Sequence, residues 1–414
     1  MRTKEYIELD ERYGAHNYHP LPVVISRAKG ARVIDPEGKE YYDFLSAYSA
    51  VNQGHLHPRI VKAVKDQLKR VTLTSRAFHN DRMGEFLRKL CDFTGYEAAL
   101  PMNTGAEAVE TALKAARRWG VEVKGVKNGK QEIICAEGNF HGRTISVISM
   151  SNDPDSTVNY GPYTPGFVKV PYADAGAIEK AITKDTVAVI IEPIQGEAGV
   201  VVPPEGYLRA VREICTRNKV LFIADEIQTG FCRTGKRFAW QHELARPDIM
   251  CLGKALGGGI MPISAIVADH DIMKVFTPGT HGSTFGGNPL AAAVGIAALE
   301  VLEEGKLEEN AEALGKIFRA EIGKISCPKI KQVRGIGADE LPNVGRRELQ
   351  RQKMRDDLAE TVDRTRRFGE TEIGAENGAI GHERNAVGGG GPQELLHAAV
   401  RDDQVAHLGG EAAC

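Results

Sequence analysis

The 414-residue sequence has no apolar run that approaches a bilayer span, no surplus of charge and no paired-cysteine motif. A membrane helix needs about 20 consecutive apolar residues, so no integral span is expected. Lysine and arginine number 53 against 55 aspartates and glutamates, a net charge of −2. That balance offers no electrostatic footprint for nucleic acid or an anionic membrane. The seven cysteines are scattered without CxxC spacing, which suits free thiols in a reducing compartment and neither a disulfide frame nor a zinc site. His55 and His57 stand two apart with no further ligands nearby, so no metal is expected. The opening MRTKEYIELDERYGAHNYHP lacks an apolar signal-peptide core and is too acidic for an obvious mitochondrial presequence. The expected location is cytoplasmic, or the mitochondrial matrix if a presequence is missing. In other respects the composition is that of an ordinary globular protein, long enough for more than one domain.

The chemistry concentrates between Leu221 and Gly259. Residues 220–224 read as a buried strand that ends in Asp225 and Glu226, where a parallel strand delivers side chains to a crevice. A second apolar run, Ile249–Leu252, ends in Gly253-Lys254 and is followed by Ala255-Leu256-Gly257-Gly258-Gly259. An isolated lysine beside a glycine turn is usually a surface group, and lysine is almost never buried unless paired or reactive. The carboxylates on the neighbouring strand change that weighting. Pyridoxal phosphate catalysis needs both parts: an amine that bonds the cofactor's aldehyde carbon, and an acid that keeps its ring nitrogen protonated. A dinucleotide site fits poorly, because the glycine spacing is wrong and no acid follows in place.

Around this stretch the chain alternates strand and helix patterns. Residues 33–44 read as a hairpin about a DPEG turn. Pro58 opens a helix with Ile60, Val61, Val64, Leu68 and Val71 at helical spacing. In PMNTGAEAVETALKAARRWG, Asn103-Thr104-Gly105 supplies caps, and such a helix start presents free N–H groups to a phosphate, although any N-cap looks similar. A strand at 131–136 precedes Gly138-Asn139-Phe140-His141-Gly142-Arg143-Thr144. There Phe140 reads equally as core, and Arg143 as a surface charge or a fork for a carboxylate. Residues 187–192 read as a strand and 207–218 as a helix, and this alternation indicates a parallel doubly wound sheet. Residues 281–289 form a glycine-rich turn before an Ala- and Leu-rich helix, and a second amphipathic helix spans about 307–325.

The motifs HNYHPLPV, SAYSAVNQGHLHP, PMNTGAEAVETALK, GNFHGRT, EPIQGEAGVVVP and HGSTFGGNPL resemble, over residues 10–337, the class III (subgroup II) aminotransferases, and among them the branch that acts on ornithine. The resemblance implies an α/β chain of the fold type I pyridoxal-phosphate-dependent class, its large domain built on a mainly parallel doubly wound sheet, with a smaller α+β domain. Residues 1–40 would begin the small domain, 41–290 form the cofactor domain, and 291–337 resume the small domain. It implies transfer of the δ-amino group of L-ornithine to 2-oxoglutarate. Lys254 would hold pyridoxal 5'-phosphate and shuttle protons, with Asp225 at the ring nitrogen. Gly105 and Ala106 would hold the phosphate, Phe140 would stack on the ring and Gln228 would bond its phenolic oxygen. Thr284 would reach the phosphate in the neighbouring subunit of a homodimer with shared sites. Tyr18, Tyr48 and Arg143 would bind substrate, Tyr48 narrowing the pocket, and Glu197 would act as a gate that pairs with a second arginine. His141 replaces a tryptophan of some relatives and carries no assignment.

From about Gly337 the pattern breaks. Large apolar residues thin out while charge and glycine rise, a composition that does not bury enough surface to fold. Residues 338–414 are therefore expected to be poorly ordered, apart from a polar helix pattern over 346–367. The abrupt change is read as a non-native terminus, a shifted frame or mis-joined exon being the simplest cause. The second carboxylate-binding arginine finds no counterpart. Another ω-amine substrate, acetylornithine or 4-aminobutyrate, and a cofactor-binding but inactive chain remain the alternatives.

Overall fold

The computed structural model describes residues 1–325 and 330–344. The expectations for the tail beyond 344, including the polar helix over 346–367, lie outside the described residues. The chain divides into two compact units. The larger comprises Ser46–Glu312 with Gly335–Asp339, and the smaller includes Met1–Leu45 and Ala313–Arg334.

In the smaller unit a helix, Thr3–Tyr13, is tied to a three-stranded antiparallel sheet by the Thr3 N–H, which donates to Glu37 at 2.7 Å. The strands are β1 (Arg27–Lys29), β2 (Arg32–Ile34) and β3 (Glu40–Tyr42). The DPEG turn closes the expected β2–β3 hairpin. Asp35 accepts from the Lys39 N–H at 2.7 Å and the Tyr41 hydroxyl at 2.9 Å, and Gly38 takes a φ of 92°.

The larger unit is built on seven strands: β4 (Ala98–Met102), β5 (Glu132–Ala136), β6 (Phe167–Val170), β7 (Thr186–Ile191), β8 (Leu221–Asp225), β9 (Ile249–Leu252) and β10 (Ser264–Ala268). Their order is β4-β10-β9-β8-β7-β5-β6. Strands β6, β5, β7, β8 and β9 pair in parallel, and only β10 runs against both its neighbours. The carboxyl ends of β4, β5, β7, β8 and β9 therefore share one edge. A further pair, β11 (Ile330–Ile336) and β12 (Asp339–Val344), forms a two-stranded sheet.

Period-two alternation sorts the strand side chains into separate cores. Leu221, Ile223, Ile249, Cys251, Val187 and Ile190 pack with the helix Gly105–Glu122. Phe222, Ala224, Val189 and Ile191 pack on the other face, where the helix Tyr207–Arg217 buries Leu208, Val211 and Ile214. Met250, Leu252, Ala265 and Val267 join a third core with the helices Pro58–Gln67, Met83–Thr94 and Pro289–Glu304. Burial of this kind contributes about 1.5–3 kcal/mol for each large apolar side chain.

Small residues set how closely these layers approach. A Cβ on Gly120 would lie 2.2 Å from Val187 Cγ1, so the helix Gly105–Glu122 meets β7 with no room for a methyl group. Gly120→Ala is expected to destabilise the protein by about 1–3 kcal/mol through overpacking. Denaturant unfolding checks this, and an unchanged midpoint would show that the layers can part at no cost.

Candidate active site

The carboxyl edge of the sheet gathers most of the residues singled out above. Asp225 is the last residue of β8 and is 4 % exposed. In the β8–β9 register Asp225 pairs with Cys251, which places Lys254 three residues further along the adjacent strand's exit. Neighbouring strands lie about 4.8 Å apart, so the acid and the amine leave the same edge side by side. Lys254 opens a 3-10 turn, Lys254–Gly257, with a φ of 44°. A non-glycine residue in that region carries roughly 1–3 kcal/mol of strain, and such strain collects at functional sites.

The next layer brings a helix start to the same edge. Thr104 caps the helix Gly105–Glu122: its hydroxyl accepts from the Glu107 N–H at 3.3 Å, and Glu107 accepts in return from the Thr104 N–H at 3.0 Å. The Ser264 hydroxyl donates to the Thr104 carbonyl at 2.6 Å, which clamps the helix start to β10. The first N–H groups of any helix have no intrahelical acceptor and draw anions to that end; here they belong to Gly105 and Ala106. Glycines bring this end against the rest of the site. A Cβ on Gly253 would lie 3.6 Å from Gly105 Cα, and one on Gly142 would lie 2.9 Å from Ala106 Cβ. Lys254, the 138–144 turn and the helix start thus occupy one place.

The 138–144 turn carries Phe140, His141 and Arg143. The Phe140 N–H donates to Glu192 Oε2 at 3.1 Å, and the Arg143 guanidinium sits 5.4 Å from the Phe140 ring centre. Arg143 is exposed and donates to the Ser156 hydroxyl at 3.2 Å. Gln228 donates to Glu197 at 3.1 Å, and a Cβ on Gly196 would lie 1.7 Å from Gln228 Oε1, so that glycine admits the pair.

Ser46, Ala47, Tyr48 and Ser49 form a left-handed turn, with φ of 50°, 46°, 56° and 70°. Left-handed geometry costs about 1–2 kcal/mol per residue, and nothing in the residue types announced it. The segment after it is anchored near Lys254: the Gln53 side chain donates to the Ala255 carbonyl at 2.9 Å, and Asn52 donates to the Phe231 carbonyl at 3.2 Å. Tyr48 is 49 % exposed on this turn. Tyr18 belongs to the smaller unit, where it is exposed. Thr284 is exposed, and its neighbour Ser283 accepts from the Asn103 side chain at 2.8 Å, beside the start of the helix Gly105–Glu122.

Glu226 departs from the sequence reading. It does not face the crevice with Asp225, because alternation turns it to the other side of the sheet. There it is fully buried and accepts from the Ala239 N–H at 3.1 Å, the Trp240 N–H at 2.9 Å and the Thr229 hydroxyl. It is a staple for the 3-10 turn Ala239–His242. Two residues that sequence reasoning passed over take part instead. His141 Nδ1 lies 2.6 Å from Asp225 Oδ2, and Glu192 holds the turn through Phe140. Their places at the end of a strand and in a turn after one were visible; their contacts were not.

The Aminotransferase class-III family matches residues 13–353. The chain belongs to the class III aminotransferases. The match runs past Gly337, where the motif resemblance stops. An ornithine aminotransferase of Oceanobacillus iheyensis is 60 % identical over 337 residues, 81 % of this chain and 85 % of that protein. The crystal structure of the ornithine aminotransferase of Toxoplasma gondii superposes with a TM-score of 0.84 at 46 % identity, covering 87 % of this chain and 86 % of its own. An acetylornithine aminotransferase structure from Elizabethkingia anophelis gives a TM-score of 0.77 at 48 % identity, covering 87 % and 90 %.

Class III aminotransferases use pyridoxal phosphate, and the donor set of this member fits it. A helix start with free N–H groups, an amine at a strand exit and an aromatic side chain stand at this edge. Asp225 Oδ1 accepts from the Ile227 N–H at 3.1 Å and Oδ2 pairs with His141, which leaves each oxygen a lone pair for a ring N–H.

Burial pushes the Glu192 carboxyl up to about 8, with His141 and Asp225 acting on it in opposite directions. The folded protein therefore binds this proton more tightly than the unfolded chain. Its stabilising contribution is complete below the ordinary carboxylate range and is lost as pH rises through about 8. Glu192→Gln keeps an oxygen for the Phe140 N–H and cannot ionise. Its thermal unfolding midpoint is expected to hold through that window while the wild-type value falls; parallel pH profiles would show that Glu192 is already charged.

Proposed function

We propose that this aminotransferase moves the δ-amino group of L-ornithine to 2-oxoglutarate, giving glutamate 5-semialdehyde and glutamate. The observation that carries the substrate assignment is the 60 % identity to a protein named ornithine aminotransferase over four fifths of this chain. Tyr48 on its strained turn and Tyr18 in the smaller unit are the side chains assigned to substrate selection.

When bound, pyridoxal phosphate supplies an electron-withdrawing ring that stabilises negative charge on the substrate carbon. Lys254 supplies the amine that holds it. Lys254 Nζ, when not holding the cofactor, would be the base that takes the proton from the δ-carbon of ornithine. Asp225 accepts the ring N–H. The N–H groups of Gly105 and Ala106 receive the phosphate, the Phe140 face covers the ring, and Gln228 reaches the phenolic oxygen. Arg143 takes the α-carboxylate of ornithine and a carboxylate of the keto acid, its planar fork matching that group. Glu197 is a gate held through Gln228. Thr284 serves the phosphate of the partner subunit in a homodimer, and the exposed Phe285 beside it supplies apolar surface for that contact.

Lys254→Ala is expected to abolish the visible absorbance of covalently held cofactor and to lower turnover by roughly 10²–10⁴-fold. Retained turnover would show that another lysine serves. Asp225→Ala is expected to bind cofactor more weakly and to lose rate, and a wild-type rate would remove its role.

The similarity to an acetylornithine aminotransferase structure favours a second reading, in which acetylornithine is the amino donor. A panel of ornithine, acetylornithine and 4-aminobutyrate separates the two. Ornithine is expected to give a kcat/KM at least about tenfold above either, a preference of roughly 1.4 kcal/mol; preference for acetylornithine would reverse the assignment.

A further inference from the structure

At the far end of the helix Gly105–Glu122 a cavity gathers charge of one sign. It has a volume of about 520 Å³ and lies where the chain enters β5 and β6, at the sheet edge opposite the candidate active site. Lys114, Arg117 and Arg118 line it together with Glu122, Val121 and Phe276. Spacings of three and four residues put the three cations on one helix face. Lys114 is nine residues past Gly105, about 14 Å along the axis, and Arg118 is about 20 Å along it. Residues 114–131 carry six lysines and arginines and one carboxylate, in a protein whose net charge is −2. No basic residue lies in the last turn of the helix, so complementing the helix dipole does not account for the three cations on it.

Two of these cations lack a counter-charge. Arg118 Nε donates to Glu122 at 2.6 Å, and its other end reaches the Thr277 hydroxyl at 3.4 Å. Arg117 is part-buried, donates to the Pro165 carbonyl at 2.7 Å and lies 5.2 Å from the Phe167 ring centre. Its Nε is buried and meets no acceptor among the described residues. Burial lowers the proton affinity of Arg117, and the charge of Glu110 acts against that. Glu110 itself already accepts from the Thr144 hydroxyl at 2.6 Å. Lys114 is exposed and donates to His281 Nδ1 at 2.9 Å and to the Thr280 carbonyl at 3.4 Å, both neutral acceptors. Burial and the Lys114 charge both lower the proton affinity of that imidazole. A part-buried cation without an anion is costly, and the cavity beside it is the place where one fits.

We propose that this cavity is a second anion site, separate from the cofactor's, which takes the phosphate group of a small organic phosphate monoester between Lys114 and Arg117. Residues three apart on a helix stand about 5–6 Å from Cβ to Cβ, so both cations reach one group. A phosphate monoester carries nearly two negative charges on a single group at pH 7, which matches the two cations; a lone carboxylate carries one. The guanidinium fork and the lysine point charge are the usual pair for such a group. Ligand pockets hold about 300–1,000 Å³, so the cavity has room for an organic part beyond the phosphate, and Val121 and Phe276 offer it apolar surface.

The test titrates adenosine 5'-monophosphate and inorganic phosphate, by calorimetry, into the full-length protein saturated with pyridoxal phosphate, so that the cofactor's own phosphate site is filled. The monophosphate is expected to bind once per chain, at least about tenfold tighter than inorganic phosphate, a margin of roughly 1.4 kcal/mol, and more weakly as salt rises. Lys114→Gln and Arg117→Gln should each weaken it about tenfold to a hundredfold, the range for a bond between charged groups. Glu122→Gln, which releases Arg118, should tighten it about twofold to fivefold, the scale of an exposed ion pair; a purely structural role for these cations predicts no tightening. If Arg117→Gln does not fold, the exposed positions Lys114 and Glu122 decide. No binding to the wild-type protein, equal affinity for the two anions, or wild-type affinity in Lys114→Gln overturns the proposal. Binding that survives Lys114→Gln and disappears in Arg143→Ala places the monophosphate at the candidate active site and overturns it as well.

Discussion

A carboxylate buried at the end of a central strand sets the terms for the larger unit. Taking an anion out of water costs several kcal/mol unless donors surround it, and the fold supplies them to Asp225 from two directions. The Ile227 N–H comes from the chain as it turns off β8, and His141 comes from the turn after β5. For His141 to arrive, the 138–144 turn must fold over the edge of the sheet, and Glu192 at the end of β7 holds it there. The same fold brings Gly142 against Ala106, so the acid and the helix start are positioned by one loop.

Close approach at this edge is a matter of missing side chains. A Cβ at Gly253 would meet Ile227 and Gly105, and one at Gly196 would run into Gln228. Each of these glycines stands where two backbones or a backbone and a side chain of the candidate site meet. Strain is concentrated alongside. Lys254 takes a positive φ, and Ser46–Ser49 makes a whole left-handed turn. The surrounding bonds, Gln53 to Ala255 and Asn52 to Phe231, hold that segment against the relaxation it would otherwise undergo.

Much of this was legible beforehand where a local rule was strong. The apolar runs before Asp225 and Lys254 became β8 and β9, Thr104 became an N-cap, and Pro58 became the first residue of its helix. The DPEG hairpin formed as read. β10 was missed, because its short run SAIVA carries no turn signal that separates a strand from a helix segment, and its antiparallel insertion depends wholly on β4 and β9. Glu226 was assigned to the crevice because proximity to Asp225 outweighed the period-two rule that sends consecutive side chains to opposite faces. His141 drew no assignment because its partner lies 84 positions away.

Residue types and their local order settled the alternation of strand and helix, the capped helix start at Thr104, and the amine and acid at strand exits, since these follow from propensity, capping and hydrophobic period within a few residues. Which acid faces inward, which imidazole holds it, and which glycines let the loops converge were decided only when strands distant in the chain came into register. Those outcomes depend on pair distances across the sheet and on the volume left between backbones, and neither quantity exists until the chain has packed.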